Sequence, residues 1–558
     1  MQKSFPTPFP TAKLPAWPAQ VAEVRGYAQK TDPVSQPPNG SSAGPVKKGG
    51  RARWLSAIGI FLFFFCIGAL VLVQCPPLWR DYDGLIEIAT RPNDMTILQY
   101  PAAYPAFSRA HVYAAAIVRG WMHHQKVTID IWKGVALNDG GVRALMISQE
   151  LALALALTAF VLTFARTAGA RIWTALFLAS NASIFVTANL ISTEALAEAL
   201  IIAVVALGFR IFARDKPSVG WMTMYGLCLY VAIMTRHTNA IFAMLVPVAY
   251  FGRFVVEWVR TRRAVLAPWK GAVLFILVGL VCIGASKLTT RGLCQVFGVE
   301  YRSISARATS ERLGFVKRMS EPEREAFLAG LVARANDPVV REAIPLLARP
   351  ASWVQQREEI ENILLRETPD MNEDALKVKA DAYLEEVADL FYGTHNRYLV
   401  QETWESIWRT FAATSSADAS AYYLKTGAWS VELYASHPQF NKKTHGLSVC
   451  SEEARQRIMT FESNPWLGLW RWLPLGMAFL AGSLLALIFL FRQTGDPSAP
   501  VFALATAITG IAATCLAFVL VNYNPRFTTV ADLFGWMTLA IVLAHGIDSR
   551  GAPVEKAP

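Results

Sequence analysis

Long apolar blocks alternate with short polar segments along most of this 558-residue chain. A helix needs about 20 consecutive apolar residues to cross the hydrocarbon core of a bilayer. Ten blocks approach or reach that length: 54–76, 144–165, 171–191, 193–213, 220–235, 238–258, 270–288, 465–491, 499–521 and 528–546. The pattern predicts an all-α polytopic membrane protein with about ten transmembrane helices.

Basic residues between these blocks give the orientation of the predicted bundle. Lys and Arg accumulate in the cytoplasmic loops of membrane proteins. A basic cluster precedes the first block, and each alternate loop after it is basic, as shown by Arg166, Arg214, Arg262 and Arg492. The N-terminus is therefore expected inside, and the two long segments 78–143 and 289–464 are expected outside.

Four regions follow from this topology. They are a disordered cytoplasmic tail at 1–53, a transmembrane module at 54–288 with the outer loop 78–143, a helical extracytoplasmic domain at 289–464, and C-terminal spans with a short cytoplasmic tail at 465–558. The outer domain lies between the seventh and eighth spans. Its apolar residues recur at helical spacing, as in Trp404, Ile407, Trp408 and Phe411. Its length is enough for a core of its own.

Charge and cysteine content narrow the function. The net charge is +11, but many cations flank predicted spans and set orientation, so no nucleic-acid partner is expected. The seven cysteines include no CxxC pair, which argues against structural zinc. Cys294 and Cys450 lie near the ends of the outer domain, in an oxidising compartment. The sequence is equally compatible with a disulfide between these two cysteines and with two separate thiols.

The outer loops collect ionisable residues at one depth of the membrane. Charged groups at this depth are costly, so they pair with one another or line a cavity. Taken alone, each of these residues is typical of a helix cap or of a lipid-headgroup anchor. Five outer segments contribute to the set: Asp81, Asp83, Glu87, Glu194, Arg236, His237, Lys287 and Arg526.

These residue types suit one kind of chemistry. A carboxylate in the first outer loop is able to deprotonate an acceptor hydroxyl or amine as a general base. Arginine binds phosphate through paired hydrogen bonds from its planar fork. Together they describe the transfer of a sugar from a lipid phosphate to an acceptor at the outer face.

The first outer loop also resembles a known family. Asp81-Tyr82-Asp83-Gly84 directly follows the first span, and Gln99-Tyr100-Pro101-Ala102-Ala103-Tyr104-Pro105 precedes a predicted short helix from Phe107 to Met122. This order resembles the GT-C superfamily of polyprenyl-phosphate-sugar glycosyltransferases, in particular its protein mannosyltransferase and aminoarabinose transferase branch. The resemblance covers residues 54–288, with weaker agreement around Arg526.

The resemblance implies roles for single residues. The chain has Asp-Tyr-Asp where the family has adjacent acids, so Asp83 and Asp81 are both candidates for the base. Asp83 is favoured because Gly84 and Glu87 follow it as at the start of the family's loop helix. The implied catalytic residues are Asp83, Asp81 and Glu87. The implied donor-phosphate ligands are Arg236, His237, Arg526 and Lys287. The implied substrate-binding residues are Glu194, Tyr100, Tyr104 and Arg109.

The resemblance also implies partners and a location. The partners are a polyprenyl-phosphate sugar, the bilayer, and an acceptor that is a glycan, a lipid or a protein. No cofactor or metal is expected, although Asp81, Asp83 and Glu87 are oxygen ligands that suit a divalent cation. The location is a bacterial inner membrane with the active site on the periplasmic face.

Two other functions compete with the glycosyltransferase. A non-catalytic scaffold or assembly protein with a GT-C-like body is compatible with Pro-Ala-Ala-Tyr where the family has Pro-Pro-Leu-Tyr. A transporter is less compatible. Transporters often have internal repeats and helices broken near the middle of the membrane, and the sequence pattern indicates neither feature. Binding of a polyprenyl-phosphate sugar discriminates against the scaffold, and substrate flux would favour the transporter.

Overall fold

The computed structural model describes residues 49–79, 102–124, 138–214, 218–262, 266–297, 315–316, 318–347, 353–392, 397–436, 447–492, 496–520 and 528–551. Residues 53–558 form one compact unit. Most of the predicted N-terminal tail, up to residue 48, lies outside the described residues.

The described residues hold nineteen α-helices and two short strands. The N-terminal half contains α1 (Gly49–Gln74), β1 (Leu78–Trp79), α2 (Ala103–Met122), α3 (Asp139–Phe164), α4 (Ala168–Ala179), α5 (Ala182–Ala188), β2 (Leu190–Ile191), α6 (Thr193–Phe212), α7 (Val219–Thr235), a 3-10 helix (His237–Met244), α8 (Leu245–Thr261) and α9 (Leu266–Phe297). The C-terminal half contains α10 (Glu321–Arg334), α11 (Pro338–Leu347), α12 (Trp353–Glu367), α13 (Glu373–Tyr392), α14 (Arg397–Ala413), α15 (Ser416–Ser436), α16 (Glu452–Glu462), α17 (Leu475–Phe491), α18 (Ser498–Leu520) and α19 (Thr528–Gly551), with 3-10 helices at Ser448–Cys450 and Pro465–Gly468.

Seven helices in the described part of the chain are long and apolar enough to cross a membrane. They cover Trp54–Gln74, Asp139–Phe164, Thr193–Phe212, His237–Thr261, Pro268–Val296, Ser498–Val519 and Thr528–Arg550. The bent pair α4 and α5 would make an eighth span, and the apolar helices α7 and α17 are 17 residues long. Each of the ten predicted apolar blocks therefore corresponds to a helix or a bent pair. The chain is an all-α polytopic integral membrane protein.

The break between α4 and α5 has a local cause. Asn181 is the N-cap of α5, and its side-chain oxygen accepts a hydrogen bond from the Ser183 amide at 3.0 Å. In a continuous helix, the Ser183 amide would donate to a backbone carbonyl one turn earlier. The Asn181 side chain accepts this hydrogen bond instead, so a new helix begins here. The two helices meet at 65°. All seven residues of α5 are buried, because this short helix packs against α3, α6 and α15.

The predicted outer domain has two different cores. The helices α10 to α13 enclose a hydrophobic cluster of their own, which includes Phe315, Leu331, Ile360 and Phe391. The helices α15 and α16, by contrast, contribute to the same cluster as the transmembrane helices. The helix α14 joins the two parts, and α9 continues to Phe297, beyond the predicted end of its span at residue 288. We refer to α10–α13 below as the outer cluster.

Candidate functional site

A small parallel sheet fastens the outer end of the first span to the start of α6. Leu78 pairs with Leu190 and Trp79 with Ile191. Two prolines precede β1 and offer no amide, so the nearby carbonyls need donors from elsewhere. The Asn189 side chain supplies them, donating to the carbonyls of Cys75 at 3.2 Å and Pro76 at 3.1 Å. The first outer loop therefore leaves the membrane beside Ile191, three residues before Glu194.

Gln149 in α3 is the centre of a buried hydrogen-bond network beside this sheet. Its side-chain nitrogen donates to the carbonyls of Ala188 at 2.8 Å and Leu190 at 2.9 Å. Its side-chain oxygen accepts from the Tyr104 hydroxyl at 3.0 Å. One amide thus links α2, α3 and the connection from α5 to β2. A buried polar side chain whose hydrogen bonds are all made favours a single arrangement of the segments around it.

Tyr104, a predicted substrate-binding residue, is fully buried at the start of α2. Burial and then the nearby Glu194 carboxylate raise the pKa of the Tyr104 hydroxyl well above its usual range. The hydroxyl therefore stays protonated at neutral pH and acts as a donor. The structure thus gives Tyr104 a hydrogen bond that supports the wall of the site. Its predicted contact with substrate stays a prediction.

Glu194 and Arg236 form a buried ion pair between the N-terminal end of α6 and the C-terminal end of α7. A guanidinium nitrogen of Arg236 lies 3.2 Å from a carboxylate oxygen of Glu194, and the two side chains are 12% and 2% exposed. The other carboxylate oxygen accepts from the hydroxyls of Ser192 at 2.7 Å and Thr193 at 3.1 Å. Arg236 has an extended backbone, which ends α7 before the 3-10 helix begins. The sequence predicted that ionisable groups in the outer loops pair with one another or line a cavity, and these two form a pair.

Two more predicted phosphate ligands lie beside this pair. His237 follows Arg236 directly and is half-buried at the start of the 3-10 helix. Lys287 in α9 is exposed and lies close enough to His237 for its charge to act on the ring. Arg109 in α2 is half-buried. The structure therefore places Arg236, His237 and Lys287 near one another, at the end of α7, at the start of the 3-10 helix and in α9.

Five predicted site residues lie outside the described residues: Asp81, Asp83, Glu87, Tyr100 and Arg526. Their roles remain predictions. Within the described segments, no group of three or more His, Cys, Asp or Glu side chains could hold a metal ion. The three carboxylates that suit a divalent cation are outside those segments.

Three buried carboxylates inside the spans were missed by the sequence reasoning. They are Glu150 in α3, Glu198 in α6 and Asp532 in α19. Asp532 accepts from the side chains of Asn181 and Ser416, so it joins α19 to α5 and α15. Glu150 and Asp532 both lie near Glu198. An acidic residue inside an apolar block was the signal that could have identified them.

The helix α15 covers the end of the bundle at which β1 and Glu194 lie. It packs against β1, α5 and α19. A methyl group added to Gly427 would lie 2.8 Å from a Leu78 side-chain carbon, so the backbone of α15 rests directly on β1. Tyr423 is buried and its hydroxyl donates to Thr529 at 3.4 Å. Among the described residues, α15 is therefore the part of the predicted outer domain that lies over the start of the first outer loop.

Two cavities open near this end of the bundle. One, of about 740 Å³, lies between α2 and the start of α3 and includes Arg119, His123 and Asp139 in its lining. The other, of about 400 Å³, lies between α1, α3 and α16 and includes Arg143 and Arg457. Neither lining includes the Glu194–Arg236 pair. Both cavities combine apolar walls with cations, which is compatible with anionic amphiphiles.

Cys294 and Cys450 are both free cysteines, so the structure has the second of the two alternatives, separate thiols. Cys294 is buried in the last turn of α9. Cys450 packs on the transmembrane cluster. Burial and then the Asp139 carboxylate raise the pKa of the Cys450 thiol to about 12. A protonated thiol is a poor partner for disulfide exchange.

Alkylation of the unfolded protein without reductant is expected to modify all seven cysteines, because each carries a free thiol. Intact mass measurement counts the adducts. Full alkylation after reductant treatment is the control. Two fewer adducts before reduction than after it would contradict the structure and would restore the disulfide hypothesis.

The helices define an integral membrane protein with a polar site at one end of its bundle. No protein-family model matches the chain, and a search of the curated proteins finds no match. Among solved structures, the chain is similar to the crystal structure of ArnT from Cupriavidus metallidurans bound to undecaprenyl phosphate. The identity is 13%, the TM-score is 0.30, and the similarity covers 88% of this chain and 78% of that chain. A TM-score this low does not establish a shared fold, so the proposal below rests on this chain's own residues.

Proposed function

We propose that this chain is a membrane glycosyltransferase of the GT-C type, which moves a sugar from a polyprenyl phosphate to an acceptor at the outer face of the membrane. The observation that carries the proposal is the pairing of Trp79 with Ile191. Trp79 directly precedes the acidic first loop. Its partner Ile191 lies three residues before Glu194 in the sequence, and Glu194 is paired with Arg236. The last described residue before the acidic segment, Trp79, is therefore paired close to the Glu194–Arg236 pair, which supports the proposal.

The proposed reaction uses a carboxylate of the first loop and the cations near Glu194. Asp83, or Asp81 in its place, takes the proton of the acceptor hydroxyl or amine. The acceptor atom forms a bond to the anomeric carbon of the sugar, and the bond from that carbon to the phosphate oxygen breaks. The polyprenyl phosphate leaves with the electron pair. Cations that face the leaving phosphate stabilise its developing charge.

Arg236, His237 and Lys287 are the described residues best placed for that phosphate. Arg236 keeps one guanidinium nitrogen on Glu194, and a guanidinium has five donors in total. Glu194 therefore orients the guanidinium. We propose Arg526 as a further cation of the same site. The exposed Lys287 suits a phosphate at the membrane boundary, where the lipid tail stays among the spans.

The acceptor is proposed to approach from the outer side, beside α15. This helix rests on β1 through Gly427, so it borders the place where the first loop begins. Its link to Asp532 through Ser416 fastens it to α19. The acceptor is a glycan, a lipid or a protein. The proposed location is a bacterial inner membrane with the site on its periplasmic side.

Replacing Asp83 by asparagine is expected to lower the transfer rate by about 10²–10⁴-fold, the usual contribution of a general base. The measurement is sugar transfer from a polyprenyl-phosphate donor by purified protein in lipid nanodiscs. Asp81→Asn is the matched variant, since it removes the neighbouring carboxylate and tests which aspartate is the base. Unchanged donor binding in both variants would separate a chemical role from loss of the site.

Full activity in Asp81→Asn, Asp83→Asn and the double variant would refute this assignment of the base. Wild-type protein that binds no polyprenyl-phosphate sugar would favour a non-catalytic scaffold. Flux of substrate across proteoliposomes, without transfer, would favour a transporter.

A further inference from the structure

The helix α14 connects the outer cluster to the membrane-spanning part of the chain. At its N-terminal end, Tyr398 and Leu399 pack against the outer cluster. At its C-terminal end, the Phe411 ring lies 5.7 Å from the Phe479 ring of α17. Immediately after α14, the Thr414 carbonyl accepts from the Leu475 amide at 2.9 Å. The helix is therefore held at both ends, by two different parts of the protein.

Three large apolar side chains of α14 are exposed on one face. Val400 is 70% exposed, and Trp404 and Trp408 are each 64% exposed. They are spaced four residues apart, so they lie one above another along the helix. Phe411 is three turns from Val400 and shares its direction. An exposed apolar stripe of this size on a protein surface marks an interaction site.

The two faces of α14 on either side of this stripe already make contacts within the protein. On one side, Glu405 pairs with Arg318 at 2.6 Å and accepts from Gln401 at 2.8 Å, so this side faces the outer cluster and water. On the other side, Ser406 and Thr410 are buried. The stripe lies between the polar side and the packed side. A helix with this division into sectors is typical of one that lies in the plane of a membrane surface.

The depth of the stripe follows from α17. This helix begins at Leu475, and Phe479 lies one turn inside it. Phe411 contacts Phe479, so the end of the stripe reaches the level at which α17 enters the apolar region. Met477 and Leu480 of α17 are about half exposed at the same end, as lipid-facing residues are. Tryptophan is enriched at this level of a bilayer, because its ring is apolar and its N–H is polar.

We propose that α14 is an interfacial helix whose Val400, Trp404 and Trp408 side chains insert into the outer leaflet, at the boundary between headgroups and acyl chains. The occupant of the stripe is lipid. A lipid surface continues from the exposed face of α17, whereas a protein partner would need to sit partly within the bilayer. Through its contacts with the outer cluster, α14 holds that cluster at the membrane surface. This inference is independent of the proposed transfer reaction.

Photo-crosslinking of the full chain in native membranes tests the proposal. A benzoylphenylalanine is placed singly at Trp404, Trp408 and Glu405, and at Leu484, which is half exposed in the middle of α17. After irradiation, mass spectrometry identifies the adducts. Lipid adducts are expected at positions 404 and 408 in yields similar to the yield at position 484. Few or no lipid adducts are expected at position 405. The bulky label fits at 404 and 408 because those side chains are exposed.

The other outcomes overturn the proposal. Protein adducts at 404 and 408, whether with a second copy of the chain or another protein, would show a protein interface. Absence of adducts at 404 and 408, with lipid adducts at 484, would show a surface in water. Lipid adducts at 405 equal to those at 404 would show that the helix has no preferred face toward the bilayer.

Discussion

Replacing Arg236 by leucine is expected to lower the free energy of unfolding by about 3–5 kcal/mol, because it leaves the Glu194 carboxylate buried without its countercharge. Glu194 is 2% exposed, so water cannot substitute for the lost guanidinium. Unfolding of the purified protein by a denaturing detergent measures the change. The double variant Glu194→Leu/Arg236→Leu is expected to recover most of the loss, since it removes both charges.

A second ion pair in the same protein is the matched control. Lys425 of α15 and Glu462 of α16 approach to 3.6 Å, but their side chains are 71% and 35% exposed. Lys425→Leu is expected to cost less than about 1 kcal/mol, because solvent screens the pair. If Arg236→Leu costs no more than Lys425→Leu, or if the double variant is as unstable as Arg236→Leu, the Glu194–Arg236 pair is not the structural element described.

The same variants separate stability from function. The double variant is expected to fold yet to lose donor binding if Arg236 also contacts the phosphate. If it folds and binds donor with unchanged affinity, the role of Arg236 is confined to its partner Glu194. The comparison is informative because the double variant removes the guanidinium from the proposed donor site without leaving a buried, unpaired carboxylate.

Replacing Gln149 by leucine is expected to lower the free energy of unfolding by about 2–4 kcal/mol, because buried polar groups that lose their partners each cost about 1–3 kcal/mol. The Ala188 and Leu190 carbonyls lose a donor and the Tyr104 hydroxyl loses an acceptor. The proposed transfer should also slow, since the connection that carries Glu194 loses its support. Unfolding and transfer are measured on the same preparations.

Tyr104→Phe is the control for this network. It removes one donor and leaves the two bonds from Gln149 to the backbone, so a loss of about 1 kcal/mol is expected. Equal losses for Gln149→Leu and Tyr104→Phe would mean that the bonds to Ala188 and Leu190 contribute little. An unchanged stability in Gln149→Leu would show that the site wall is held by packing alone.

Local patterns predicted the helices well. A span is recognised by its own length and hydropathy, and a basic loop by its own charge, so neither needs information from elsewhere in the chain. This is why the blocks from 54–76 to 528–546 each correspond to a helix or bent pair in the structure. The bend between α4 and α5 was also encoded locally, in Asn181, although the hydropathy pattern reads across it as one block.

Pairing across the chain was not predictable in the same way. The sequence predicted that Glu194 and Arg236 are both in outer loops, but more than forty residues separate them. Their contact depends on how α6 packs on α7. The division of the segment 289–464 has the same origin. Amphipathic helices were evident throughout, yet only tertiary contacts decide that α10–α13 pack on one another while α15 and α16 pack on the spans.

By itself, then, the sequence determined the class of protein and the approximate number of spans, because hydropathy is a property of short segments. Only the tertiary structure decided that Gln149 supports Tyr104, that Glu194 is neutralised by Arg236, and that the first outer loop begins beside Ile191. These relations are set by the packing of helices distant in the chain, whose polar groups must find partners once water is excluded.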